Sequence, residues 1–164
     1  MDCRYIYRFM MNRILYICTF LFCVLASCEK VPTDSTEGAP LYSGRMTVVY
    51  EGEEFSQDNI QVQVQFNQDR TAVDIKLFKV KFVPAMPIRI NVEIKDVSLT
   101  EESAGVWSFS ADDITPWAMG GPYKGYRVDD LEGRITEESV DFELGFFNTK
   151  KSENYPTSYS GNLN

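Results

Sequence analysis

The stretch Ile60-Gln61-Val62-Gln63-Val64-Gln65-Phe66 decides the fold. Apolar and amide side chains alternate without a break. That period of two puts one face of a strand in a core and the other in water. Asn67-Gln68-Asp69-Arg70 supplies turn residues, after which Val73, Ile75 and Leu77 alternate with Asp74 and Lys76. The parity then shifts by one, and Phe78, Val80 and Phe82 alternate with Lys79 and Lys81. Val83-Pro84-Ala85-Met86-Pro87 interrupts the pairing, since proline has no N–H for a ladder. Ile88, Ile90, Val92 and Ile94 then alternate with Arg89, Asn91, Glu93 and Lys95. A second slip at Lys95-Asp96, with Val97 and Leu99 carrying on, has the pattern of a β-bulge.

The same rhythm continues to the end of the chain. Trp107 and Phe109 mark a strand, and a long loop runs from Asp112 to Gly125. Val128 to Ile135 and Val140 to Phe146 form a hairpin around Thr136-Glu137-Glu138-Ser139, and a short strand closes the chain from about Ser158 to Leu163. No stretch carries a helical stripe. About eight short strands with tight polar connections predict an all-β fold, an antiparallel up-and-down eight-stranded barrel, with a β-sandwich as the alternative. Tyr42-Ser43-Gly44 opens the first strand and Tyr159-Ser160-Gly161 lies in the last, which suggests paired glycines at a closing seam. Phe66, Phe82, Trp107, Phe109, Phe142 and Phe146 are expected inside. So many rings predict a filled lumen or a shallow cup at one mouth, because eight strands enclose only enough space for side chains or one small ligand.

Upstream of this region the chain reads differently. Arg4, Arg8 and Arg13 precede an apolar run from Ile14 to Leu25, too short to span a bilayer but suited to a secretory leader. Met10 and Met11 compete with Met1 as the start. The leader ends in Leu25-Ala26-Ser27-Cys28, which resembles the lipobox of bacterial lipoproteins. The resemblance implies residues 1–27 as a cleaved leader and a lipid attached to Cys28. Several acyl chains at about 0.8 kcal/mol per buried CH₂ would anchor the chain without a spanning helix. Glu29 to Pro40, rich in Pro, Ser, Thr, Gly and acid, reads as a flexible tether, leaving residues 41–164 as the folded domain. With Glu29 rather than Asp after the cysteine, the expected address is the outer membrane.

Composition narrows the chemistry. Net charge is −8, and removal of residues 1–27 takes away three basic residues and one acid, leaving −10, which argues against a nucleic-acid partner. All four cysteines (Cys3, Cys18, Cys23 and Cys28) lie at or before the cleavage point, so residues 29–164 hold no disulfide and no free thiol. The chain has no histidine. Ser-His and Cys-His catalysis and zinc or copper sites therefore lack their residues, and no catalytic residue, metal or cofactor is assigned. The acid doublets Glu53-Glu54, Glu101-Glu102, Asp112-Asp113, Asp129-Asp130 and Glu137-Glu138 are not read as catalytic carboxylate pairs, since adjacent acids on a strand point to opposite faces and most of these doublets sit in turns, where acids are solvated. Asp112 and Asp113 are the residues a calcium ion would use, but the spacing of a calcium loop is missing.

The stretches Val73–Phe82 and Met86–Leu99, with Tyr42-Ser43-Gly44 and Leu131–Ile135, resemble the calycin-like β-barrel domain of anchored lipoproteins from Gram-negative anaerobes. That resemblance implies a lipocalin-like barrel without assigned chemistry. The candidate ligand-binding residues are Trp117, Met119, Tyr123 and Tyr126, concentrated among glycines and prolines in the loop Thr115 to Tyr126. Such rings can stack on a sugar or cap a small apolar ligand, or fold back to plug the barrel. The expectation is a membrane-anchored, non-enzymatic binding module for a small apolar or saccharide ligand. The alternative is a structural or interaction component of a cell-envelope protein complex.

Overall fold

The computed structural model describes residues 38–164. The leader, Cys28 and most of the tether lie outside the described residues. Ten strands follow in order: β1 (Leu41–Tyr50), β2 (Glu53–Phe66), β3 (Ala72–Val80), β4 (Ile90–Ser103), β5 (Val106–Ala111), β6 (Trp117–Ala118), β7 (Gly121–Pro122), β8 (Tyr126–Thr136), β9 (Ser139–Asn148) and β10 (Glu153–Leu163). All but β6 and β7 join one antiparallel ring. Its order is β3-β2-β1-β10-β9-β8-β5-β4, and β3 pairs with β4 to close it. The expected eight-stranded up-and-down barrel is the fold, and the sandwich is not.

Inward residues Val62, Val64, Ile75, Leu77, Val92 and Ile94 are fully buried. Gln61 and Gln65, on the opposite parity, meet solvent, and Asp74, Lys76, Glu93 and Lys95 are half-exposed. An apolar lumen inside a polar wall is the reverse of a bilayer-spanning barrel, whose lipid-facing band is apolar. The lumen is filled with rings. Phe142 stacks on Tyr159 at 5.1 Å near mid-height, with Phe109 beside it. Phe66 meets Trp107 edge-on at 5.2 Å, and the Arg70 guanidinium lies within 6 Å of both rings, closing the end that carries the turns at 67–71, 104–105 and 137–138. Of the six rings expected inside, five are buried and Phe66 is partly buried against them.

The parity slips are bulges with a shared construction. Asn59, Lys79, Asp96 and Asp130 have φ of 56°, 53°, 56° and 48°, and each sits at a shift in strand register. A bulge leaves an N–H outside the ladder. At three of the four, a neighbouring strand or loop supplies an acceptor: Lys79 N–H donates to Asn91 Oδ1 (3.0 Å), Asp96 N–H to Asp74 Oδ1 (2.8 Å) and Asp130 N–H to Asp112 Oδ1 (3.2 Å). The slip expected at Lys95-Asp96 is where the sequence pattern puts it. The earlier slip falls one residue later than expected, so half-buried Phe78 lies opposite Gln61 on the outer side, with Lys76 Nζ 5.5 Å from its ring.

Two further readings need correction. The loop from Asp112 to Gly125 contains the hairpin β6–β7, whose turn places Met119 (φ 53°) and Gly120 (φ 84°) in the left-handed region and whose first strand pairs with Val92 and Glu93 of β4. The last strand begins at Glu153, not near Ser158. Pro156 fits because β10 has lost β1 by that point: the last pair between them is Val48 with Thr157.

The seam between first and last strands explains the repeated tripeptide. Gly44 lies directly opposite Gly161. Each tyrosine donates to a backbone carbonyl of another strand, Tyr42 Oη to Thr136 O at 3.2 Å and Tyr159 Oη to Ile60 O at 3.1 Å. Burial, followed by the charge of Asp141, raises the Tyr159 phenol above its ordinary value near 10. Burial and the Glu153 carboxylate push Tyr155 up to about 12. Below pH 10 both phenols are neutral whether the chain is folded or not. Above it the unfolded chain ionises first, so stability falls as pH rises from 10 toward 12. Urea midpoints measured across that window should fall steadily, and less steeply in Tyr159→Phe. A flat profile would contradict the burial of these phenols.

Candidate functional site

Four connections, at 51–52, 81–89, 112–125 and 149–152, surround the mouth opposite the Arg70 end. Leu41, where the chain enters the barrel, is at the Arg70 end. A column of rings rises to this mouth: Phe82 on Phe146 (3.5 Å), Phe146 on Tyr126 (4.9 Å) and Tyr126 on Tyr123 (4.6 Å), all within 22° of parallel. Beside the column is a cup of about 100 Å³, with Met86, Ile90, Asn148, Lys151 and Tyr155 on its other side.

Backbone bonds pin the loops that form it. Tyr123 N–H donates to Pro116 O (2.7 Å), Tyr126 N–H to Tyr123 O (2.9 Å) and Thr149 N–H to Gly125 O (3.1 Å). Buried Asn148 is a node: its Oδ1 accepts from Lys150 N–H (3.1 Å) and Lys151 N–H (3.2 Å), and its Nδ2 donates to Tyr126 Oη (3.4 Å). Gln57, also buried, mimics a strand partner for the opposite loop. Its amide donates to Lys81 O (2.8 Å) and accepts from Lys81 N–H (3.1 Å), and Arg89 adds a bond to its Oε1 at 3.0 Å. Sequence reasoning missed Gln57 and Asn148 because a polar residue reads as outward unless its partners are known. Burial raises the Tyr123 phenol, and neighbouring Tyr126 adds to the effect.

The four candidate residues divide into two pairs. Tyr123 and Tyr126 fold back and line the cup. Trp117 and Met119 do not reach it: they stand on the outer wall, 38% and 71% exposed, with Lys95 Nζ 4.4 Å above the Trp117 ring. Cys28 lies outside the described residues. Asp112 caps the bulge at Asp130, and Asp113 and Asp129 pair with Arg127, Asp129 through two short bonds. No cluster of three metal-type side chains occurs among the described residues.

Larger concavities of about 550 and 360 Å³ run along the outer wall over β10. They are open furrows between charged side chains such as Arg45, Glu143 and Arg134, with small hydroxyl residues such as Ser158 along the floor. The smaller cup is the better candidate, since enclosure and apolar lining give a ligand more than area alone. Its size sets a limit. Small-molecule pockets commonly measure about 300–1,000 Å³, while an apolar void of about 150 Å³ takes a benzene ring. At about 100 Å³ the cup is smaller than that void, with room for the edge of a ring or a short chain and not for a whole lipid.

No protein-family model matches the chain, and no curated protein matches it. Among solved structures, the barrel is similar to a candidate outer membrane protein of Bacteroides fragilis, with a TM-score of 0.57 at 12% identity over 76% of this chain. The match takes in 50% of that protein, so the chain corresponds to about half of its length. At that identity the similarity concerns the fold.

Proposed function

We propose that the chain is an envelope lipoprotein, tethered to the outer membrane through Cys28, whose barrel is a non-enzymatic binding module. Its cup seats the edge of a ring or a short apolar group, either of a small ligand or of the end of a saccharide. The observation that carries this reading is the ring column ending in an enclosed apolar cup at the mouth remote from Leu41. The lipobox resemblance at Leu25–Cys28 and the envelope protein of similar fold support the address. A filled lumen argues against carriage inside the barrel, so the lipocalin likeness extends to shape alone.

Native mass spectrometry of the full chain against a panel of lipids, aromatic compounds and oligosaccharides tests the reading. One equivalent of a ring-bearing compound should bind and be lost in Tyr123→Ala; the absence of any adduct would retire it. Cys28→Ala should move the protein from the membrane to the soluble fraction, and unchanged membrane association would defeat the anchor. A second reading, contact with an envelope protein, is favoured by the exposed Ile88, Trp117 and Met119. A photo-crosslinker at Met119 should then capture one stoichiometric partner in membranes.

A further inference from the structure

We propose that the cup selects an organic carboxylate: the edge of a ring or a short branched chain inside, with the charged group held at the rim by Lys151. This rests on the reading of the cup as a ligand site and adds the charge of the ligand. Lys151 is the charged side chain among those lining the cup. Two more lysines lie on the same two connections. The bond from Thr149 N–H to Gly125 O ties the turn at 149–152 to the loop at 112–125, one residue from Lys150 on one side and from Lys124 on the other. The Lys150 side chain packs over Gly125, where a Cβ would come within 3.8 Å of its Cε. Three lysines on these two connections stand out in a chain of net charge −8.

The rings favour the same sign. Tyr126 and Phe146 each have a ring stacked on both faces. They can offer the cup only their edges, which carry the positive part of the ring quadrupole. An ammonium ion would need a ring face, which Tyr126 and Phe146 do not have free. Two carboxylates stand nearby: Glu153, already bonded to Tyr155 Oη at 2.5 Å, and Glu51, bonded to Tyr50, whose ring meets Tyr155. Lys151 Nζ is 3.8 Å from Glu153 Oε2, well beyond the ~2.8 Å of a charge-assisted hydrogen bond, which leaves the ammonium with donors to give.

Calorimetric titration of the full chain with phenylacetate, its uncharged isostere phenylacetamide, and 2-phenylethylamine tests the assignment. Methyl NMR of Met86 would report whether binding is at the cup. Phenylacetate should bind about tenfold more tightly than phenylacetamide, and the amine most weakly. Lys151→Gln should bring the acid-to-amide ratio close to one. Equal affinities for acid and amide in the parent, or a ratio that survives Lys151→Gln, would overturn the charge assignment while leaving the cup as a ligand site. Failure of all three compounds to bind would overturn both.

Discussion

Gly44→Ala is expected to destabilise the barrel by about 3 kcal/mol, lowering its midpoint of thermal unfolding by roughly 10 °C. A Cβ at this position would lie 2.7 Å from the Ser160 carbonyl carbon and closer still to Ser160 O and Gly161 Cα. These are backbone atoms of the paired strand, so no rotamer change relieves the clash. Either β1 and β10 separate or the bulge opposite them is lost. Gly121→Ala is the internal control, since nothing lies within 4 Å of a Cβ there. It should change stability by no more than about 0.5 kcal/mol. Thermal melts of the two variants side by side decide the matter. If Gly44→Ala melts with Gly121→Ala, Gly44 and Gly161 do not face each other.

Phe146→Ala should cost more, about 4 kcal/mol. Its ring is 1% exposed and is sandwiched between Phe82 and Tyr126, so truncation removes two stacking contacts and opens a void in the column. Phe146→Leu, which keeps most of the volume, should lose about half as much. Near-UV circular dichroism adds a local reading, because Tyr126 and Tyr123 lose their support and the aromatic signal should shrink even where the barrel persists. A loss under 1 kcal/mol for Phe146→Ala would mean that the mouth repacks freely, and the cup would then have no fixed shape.

Much of this architecture is legible in the chain because a half-buried strand has to alternate. The run Ile60 to Phe66 has one apolar face and one polar face, and it lies between two strands with Val62 and Val64 fully buried. The bulge at Lys95-Asp96 was readable because Ile94 and Val97 are both strongly apolar and three positions apart. The same spacing separates Val128 from Leu131, yet Asp129-Asp130 between them reads as a turn. The register shift in β8 appears only once strand pairing is known. The hairpin β6–β7 has two residues per strand, too few for any period, and its Met119-Gly120 turn lacks the asparagine that usually announces such a turn. In β10, Pro156 hides the strand's first half.

The cup was legible as an ingredient list and not as a place. Tyr123 and Tyr126 come from the aromatic loop, but Phe82, Met86, Asn148 and Lys151 reach the same mouth from two other connections. Nothing local in the sequence links them. Trp117, the most conspicuous residue of that loop, faces the wall because its neighbour Ala118 takes the inward position beside Val92.

The pairing of Tyr42 with Leu163 makes the ring a structure that cannot be completed early. On a ribosome, β1 emerges first of the ten strands and its partner β10 last, so the nascent chain carries an open hydrogen-bonding edge until β10 has been made. That long-range contact also carries the largest loop-closure entropy, which marks it as a late and slow event in folding. A chaperone that shields the β1 edge would protect the intermediate most exposed to aggregation, and a chain stopped before Glu153 would lack the strand that seals it.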